Sequence, residues 1–212
     1  MTPGAALQRG LEELALPLPE DARGQLLRYI DLLAKWNKTY NLSAIRTPED
    51  MVSHHLLDSL AIVPHLPMQG ERPSLADAGS GAGLPGIPIA LARPDWRVTL
   101  VESNQKKAAF LRQAVIELKL GQVAVHEGRV ETWHPAETFA VVVSRAFADL
   151  ATFVAACRHL LAPGGVLAAM KGRDPAAEVA RAPQGCACAP AIRLRVPLLP
   201  AERHLVLCRP EG

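Results

Sequence analysis

The stretch Ser74 to Pro88, SLADAGSGAGLPGIP, decides how this chain folds. Leu75 to Ala78 reads as a short buried strand carrying Asp77 near its end. Glycines follow at positions 79, 81, 83 and 86, and Ile87, Ile89, Ala90 and Leu91 then read as a helix. Glycines between a strand and a helix let the backbone turn with φ > 0 and let a ligand approach the main chain closely. The helix start behind them leaves unpaired N–H groups aimed at the same place. The stretch therefore predicts a nucleotide-like ligand at the end of this strand.

Outward from it, strands and helices alternate. Arg97–Glu102 (RVTLVE) reads as a second strand, and Gln105–Leu120 as a helix with Ala108, Leu111, Val115 and Leu118 inward. Val123–His126 is a third strand, and Phe139–Ser144 (FAVVVS) a fourth, continuously apolar as a central parallel strand should be. Leu150–Leu161 reads as a helix closed by Ala162-Pro-Gly-Gly165, and Val166–Met170 as a fifth strand. This pattern predicts an α/β fold, a doubly wound sheet with its ligand crevice at the carboxyl ends of the strands. Ile192–Val196 and His204–Cys208 are strand-like runs separated by only seven residues. That gap is too short for a helical crossover, so the last two strands should pair antiparallel.

Upstream, the chain reads as helical. Leu26, Leu27, Ile30, Leu33 and Ala34 form an apolar stripe along Glu20–Lys38. Thr47-Pro48-Glu49-Asp50 is a helix-start signal, and the helix it opens should run to about Val63, where Pro64 and Pro67 end it. Gly70–Pro73 reads as a linker, which divides residues 1–70, an N-terminal helical extension, from residues 71–212, the α/β domain.

The 212 residues are 49% apolar and 21% charged, which suits one main globular domain with an appendage. No apolar run reaches the ~20 residues of a membrane span, and the N-terminus lacks signal-peptide anatomy, so a cytoplasmic protein is expected. Cys157, Cys186, Cys188 and Cys208 form no CxxC and have no zinc-site spacing. They read as structural or incidental thiols, with no metal expected. A formal charge of +2 is too small to point to nucleic acid and does not oppose it, because a basic face can be balanced by an acidic back.

Two cofactor readings compete at the glycine loop. Gly81-Ala-Gly83-Leu-Pro-Gly86 matches the dinucleotide pattern GxGxxG, with Glu102 at the end of the second strand. Pro85 and Pro88 sit awkwardly in that pattern. The fuller run Asp77-x-Gly79-Ser80-Gly81-x-Gly83 resembles motif I of class I S-adenosylmethionine-dependent methyltransferases. Glu102 would then accept from both ribose hydroxyls. The acid before the loop and the antiparallel tail favour this second reading.

Further motifs narrow the resemblance. Asp77 to Pro88, Lys106-Lys107-x3-Leu111-Arg112, Gly128-Arg-Val-Glu131, Ser144-Arg-Ala-Phe-Ala148, Lys171-Gly172 and Glu202-Arg-His-Leu205 occur in that order. Trp36-Asn37-x2-Tyr40-Asn41-Leu42 and His54-His55-x2-Asp58-Ser59 precede them. Together they resemble the bacterial small-subunit ribosomal RNA guanine-N7 methyltransferase family, also called glucose-inhibited division protein B, over about Glu20 to Arg209. The resemblance implies a class I, Rossmann-like methyltransferase sheet, S-adenosyl-L-methionine as cofactor, and 16S ribosomal RNA, naked or in the 30S subunit, as partner. It places Gly79 and Leu84 along the cofactor, Val130 and Glu131 beside the adenine, and Arg145 at the completed site. Ala78, where a larger aliphatic is common, and the Arg181–Pro190 loop depart from the family pattern.

N7 of guanine has a lone pair and no proton, so attack on the methyl carbon needs no general base, and positioning dominates. Arg145 either anchors the methionine carboxylate or orients the substrate. His55 and Asp58, three apart on one helix, read as a capped or solvated pair or as substrate contacts. Lys106, Lys107, Lys171, Arg173 and Arg203 read as solvated charges or as phosphate contacts. Trp36 and Tyr40 pack in the helical core or stack on a base, and Asn37 and Asn41 are too polar for pure core. The alternatives are a methyltransferase for a protein or small molecule, which an Asn-Pro-Pro-Tyr-like tetrapeptide after the fourth strand would favour, and a non-catalytic RNA-binding assembly factor. Ser144-Arg-Ala-Phe147 opposes the first, and the intact glycine loop opposes the second.

Overall fold

The computed structural model describes residues 1–67, 73–145, 147, 149–181 and 185–210. Helix α1 (Pro3–Glu13) starts where Thr2 Oγ1 accepts the Ala5 N–H at 3.3 Å, with Pro3 in the first helical position. Helix α2 (Glu20–Tyr40) stops at Asn41, which adopts the left-handed conformation at φ 50°. Thr47 caps α3 (Pro48–Met51) as predicted, its Oγ1 accepting the Asp50 N–H at 3.2 Å.

The regular helix expected beyond this cap is not what forms. Residues Val52–Leu57 make a π-helix, and α4 (Asp58–Leu60) continues it. The segment Met51–Val63 is buried throughout apart from His54. It therefore has no solvated face to set a simple helical period. Gly10 of α1 makes the close approach possible, because a Cβ there would collide with Leu57.

The remaining elements in chain order are β1 (Ser74–Ala78), α5 (Gly86–Ala92), β2 (Arg97–Glu102), α6 (Gln105–Glu117), β3 (Val123–Glu127), β4 (Phe139–Arg145), α7 (Leu150–Cys157), β5 (Leu161–Lys171), α8 (Ala176–Val179), β6 (Cys186–Cys188), β7 (Ile192–Leu194) and β8 (Arg203–Pro210). They build one sheet in the order β3-β2-β1-β4-β5-β8-β6, with β7 also on β8. Strands β3 to β5 are parallel, and β8 joins β5 antiparallel. The order reverses between β1 and β4, so the crevice opens at their carboxyl ends.

The fifth strand is longer than predicted. Pro163-Gly164-Gly165 was expected to precede it but lies inside it, where two steps along β4 (Phe139 to Val141) face five along β5 (Leu161 to Val166). The cysteine expectation is corrected. Cys188 sits opposite Cys208 in the β6–β8 register, and the two form a disulfide. Their separation of 20 residues hides the pairing from any local spacing pattern. Most of the Gly70–Pro73 linker lies outside the described residues. No helix among them is long and apolar enough to cross a membrane.

The helical layer and the sheet share one core. A continuous cluster joins Leu7, Leu26, Tyr29 and Leu33 to Leu75, Ile87, Leu100 and Phe110, and a second one fills the other sheet face under α7. Trp36, half-buried, packs edge-on against Phe110 with ring centroids 5.6 Å apart, while Tyr40 beside it is exposed. Truncating Phe110→Ala removes a fully buried ring from this seam and should cost about 3–5 kcal/mol. In urea, helical signal and tryptophan fluorescence should be lost in one shared transition, and two separated transitions would show that the helices fold apart from the sheet.

Candidate active site

The glycine loop is built from inside by its two flanking acids. Gly79, Gly81 and Gly83 take φ of 71°, 58° and 90°. The N–H groups of Gly79 and Ser80 both donate to the Val101 carbonyl, at 2.9 and 3.0 Å, which ties the loop to β2. Glu102 accepts the Gly81 N–H on Oε2 at 2.8 Å and the Asn104 N–H on Oε1 at 2.7 Å. Asp77 is fully buried and accepts the Gly86 N–H on Oδ2 at 2.9 Å, while its Oδ1 has no partner. Both acids thus shape the loop as well as standing beside it. Leu84 is buried beneath it, and Tyr29 of α2 donates its hydroxyl to the Ala82 carbonyl at 2.7 Å.

One sequence expectation fails here. The start of α5 does not present N–H groups to a ligand. Gly86 donates to Asp77, Ile87 to Gly83 O, and Ile89 to Pro85 O, while Pro88 has no N–H at all. A pyrophosphate needs those donors. The helix start is closed to an anion, and the loop is instead flanked by carboxylates.

A cleft of about 110 Å³ opens beside the loop, lined by Gly79, Val101, Ser103, Gly128, Arg129, Val130, Glu131 and Phe147. A Cβ at Gly79 would meet nothing within 4 Å, so the cleft reaches the bare backbone there. Gly79, Val130 and Glu131 are therefore brought together as predicted. The lining suits the adenine end of S-adenosylmethionine, with apolar walls at Val101, Val130 and Phe147 and Glu131 beside them, while Glu102, buried at the end of β2, lies outside it. With the start of α5 closed, the site suits a dinucleotide poorly.

A second cavity of about 440 Å³ adjoins it, with Phe147 in both linings and Asp58, Arg145, Lys171, Arg173, Glu178 and Arg203 around it. Arg145 lies here rather than in the smaller cleft. Its Nη1 donates to the His54 carbonyl at 3.0 Å and to Asp58 Oδ2 at 3.2 Å, while Arg203 Nε donates to Asp58 Oδ1 at 2.8 Å. Asp58 is 2% exposed, so the solvated-pair reading of His55 and Asp58 is wrong. Lys171 Nζ pairs with Glu178 at 2.8 Å, and the same carboxylate oxygen caps α7 through Leu150 N–H.

Two residues expected at the substrate surface are buried instead. Asn37 is 3% exposed, and its amide ties down the following loop through Ser43 and Ile45. His55 is 4% exposed, with Nε2 2.7 Å from Ser43 Oγ. Burial, with a smaller effect from Arg145, pushes its imidazole down to about 4. Asn41 and Lys106 are exposed, with Lys106 in the first turn of α6. Ala146 and Ala148 of the predicted corner lie outside the described residues. Sequence reasoning gave no role to Tyr29, which lies beside Ile30 of the apolar stripe. Nothing in the local pattern shows that its hydroxyl reaches the loop. Burial also pushes its phenol up.

The buried Asp77 carboxyl is pushed up to about 7 by desolvation, against the opposing pull of the Gly86 N–H and Arg145. Unfolded, it titrates near its ordinary 3.8, so across that window the folded state keeps a proton the unfolded chain has lost. Its contribution to stability is full below the lower value and is lost as pH rises through the upper one. His55 acts oppositely: its contribution is present above 6.5 and is lost as pH falls through about 4. Asp77→Asn removes only the first effect. Its stability relative to the parent chain should therefore rise between acid and neutral pH, by on the order of a few kcal/mol. Urea unfolding at a series of pH values checks this, and a difference independent of pH would contradict it.

The chain matches known proteins along most of its length. The profile of GidB, rRNA small subunit methyltransferase G, matches residues 22–206. Ribosomal RNA small subunit methyltransferase G of Burkholderia thailandensis is 54% identical over 206 residues, covering 95% of this chain and 89% of that protein. The corresponding protein of Burkholderia mallei is 53% identical, covering 95% and 90%. Among solved structures, the DhpI–SAH complex has a TM-score of 0.57 at 16% identity, covering 90% of this chain and 97% of that one. The glycopeptide N-methyltransferase MtfA has a TM-score of 0.59 at 15% identity, covering 77% and 99%. These structures share the fold, and the sequence match places the chain more narrowly: it belongs to the GidB family of small-subunit ribosomal RNA methyltransferases.

Proposed function

We propose that this chain transfers the methyl group of S-adenosyl-L-methionine to N7 of a guanine in 16S ribosomal RNA. Family membership over residues 22–206 is the observation that carries this reading. The pair of adjoining cavities with Phe147 between them supports it. The cofactor, when bound, supplies a methyl group on a positively charged sulfur.

The chain's residues position and enclose. Gly79 bares the backbone of the cofactor cleft and Gly81, Gly83 and Leu84 hold the loop behind it, while Val130 and Glu131 flank the adenine and Glu102 receives the ribose hydroxyls. Asp77 holds the loop in shape and keeps one unpartnered oxygen toward this end of the fold. Arg145 stands on the acceptor side, where its remaining N–H groups can meet the guanine or its phosphate. N7 needs no deprotonation, which agrees with the absence of an exposed histidine–acid pair at the described site: His55 is held by Ser43 and kept neutral by burial. Asp58 and Glu178 are already paired, the one with Arg145 and Arg203 and the other with Lys171, so they hold those cations in place around the acceptor. Lys106 and Asn41, both exposed, together with Arg173, Lys171 and Arg203, lie where RNA backbone can be gripped.

Arg145→Ala should lower methylation of 16S RNA by about 10²-fold or more, the scale of misplaced reactants. Mapping 7-methylguanine in ribosomal RNA of cells carrying each version reads the product, and calorimetry with S-adenosylmethionine reads the cofactor site separately. Unchanged rate and unchanged cofactor affinity together would remove Arg145 from the site. RNA affinity should also fall as salt rises, with a slope set by the phosphates neutralised. A flat response would mean that the basic residues do not hold backbone.

A further inference from the structure

At the far end of β8 from Arg203, three cysteines converge. Cys186 and Cys188 are two apart on β6, so their side chains leave the same face of the strand. Cys208 on β8 is the register partner of Cys188. The three sulfurs lie within 4.8 Å of one another. Cys208 is fully buried, Cys186 is 8% exposed, and Cys188 is half-buried. Five steps of strand separate Cys208 from Arg203, about 17 Å at ordinary strand rise, so this cluster stands apart from the methyl-transfer site.

We propose that Cys186, Cys188 and Cys208 form a metal site for one copper(I) ion, opened by reduction of the Cys188–Cys208 disulfide. Three sulfur ligands already gathered by a strand register need little rearrangement to close on one ion. Among the described residues no other Cys, His, Asp or Glu joins the group. Zinc in structural sites takes four ligands in a tetrahedron, whereas soft thiolates also select copper(I), which is satisfied by three. The opening step balances with an external dithiol. One of its thiolates attacks the Cys188 sulfur, the more accessible of the bridged pair, and Cys208 leaves as a thiolate that takes up a proton. The second thiol of the reagent then displaces Cys188, which is released as a thiol while the reagent becomes a disulfide. Copper(I) entry displaces the three thiol protons.

The test uses the full chain, reduced with a dithiol that is then removed under anaerobic conditions, and copper(I) as the probe against a chromophoric copper(I) chelator. The reduced protein should withhold one equivalent, with a thiolate-to-copper charge-transfer band in the ultraviolet, and the oxidised protein none. Cys186→Ser and Cys188→Ala sit on the short edge strand, and each should weaken binding by more than the roughly 10–100-fold that loss of a supporting contact costs. Cys157→Ala should bind like the parent chain. S-adenosylmethionine calorimetry on each variant verifies the fold without depending on the metal. Failure of the reduced chain to withhold copper(I), or equal retention by the Cys186 and Cys188 variants, overturns the proposal.

Discussion

The carboxylate of Asp58 is almost wholly removed from water and is shared by two guanidinium groups that arrive on different strands. Arg145 comes from the end of β4 and Arg203 from the start of β8, while Asp58 itself belongs to the helical layer. Three parts of the chain, up to 145 residues apart, therefore meet at one pair of oxygens. Burying a charge carries a large desolvation cost, which this arrangement offsets by giving both oxygens a charged donor. Removal of either arginine leaves a partly compensated group, and removal of the acid leaves two cations facing each other across the cavity. The helical layer is thus part of the wall of the larger cavity, and the core it shares with the sheet holds it there.

The glycine loop obeys a second constraint. Its shape depends on acids that accept backbone N–H groups: Glu102 from Gly81 and Asn104, Asp77 from Gly86. Tyr29 holds it from the helical side. With the donors of α5 consumed, Val101, Val130, Phe147 and Glu131 line the cleft, with Arg129 exposed at its edge. That disfavours a pyrophosphate, although the glycine spacing alone fits one.

Much of this was legible in the sequence, for identifiable reasons. The parallel strands are continuous apolar runs, the helix start at Thr47 carries its cap, and the short gap before the last strand forces an antiparallel pairing. Gly79, Val130 and Glu131 converge as their motifs implied. What sequence did not show depends on contacts between distant segments. The carbonyl met by the Tyr29 hydroxyl, the two arginines on Asp58 and the bridge from Cys188 to Cys208 leave no local periodicity. Asn37 and His55 were misplaced for a related reason: polar residues suggest a surface, yet these two are buried because each satisfies an irregular loop around Ser43. The π-helix escaped notice because a segment buried on all sides shows no amphipathic period.

That π-helix has a genetic reading. A turn of this kind corresponds to one residue more than a regular α-helix accommodates, with its ends still in line. Asp58 is the first residue after it. Losing a single codon between Val52 and Leu57 would let the helix relax to ordinary winding without unfolding it. Because the ends stay in line either way, Asp58 would keep its direction toward both arginines. The same deletion from the regular turns of α2 would swing every later residue of that helix by about 100° and turn its apolar stripe off the core. The π turn is thus the place in the helical layer where a change of one residue in length is absorbed locally.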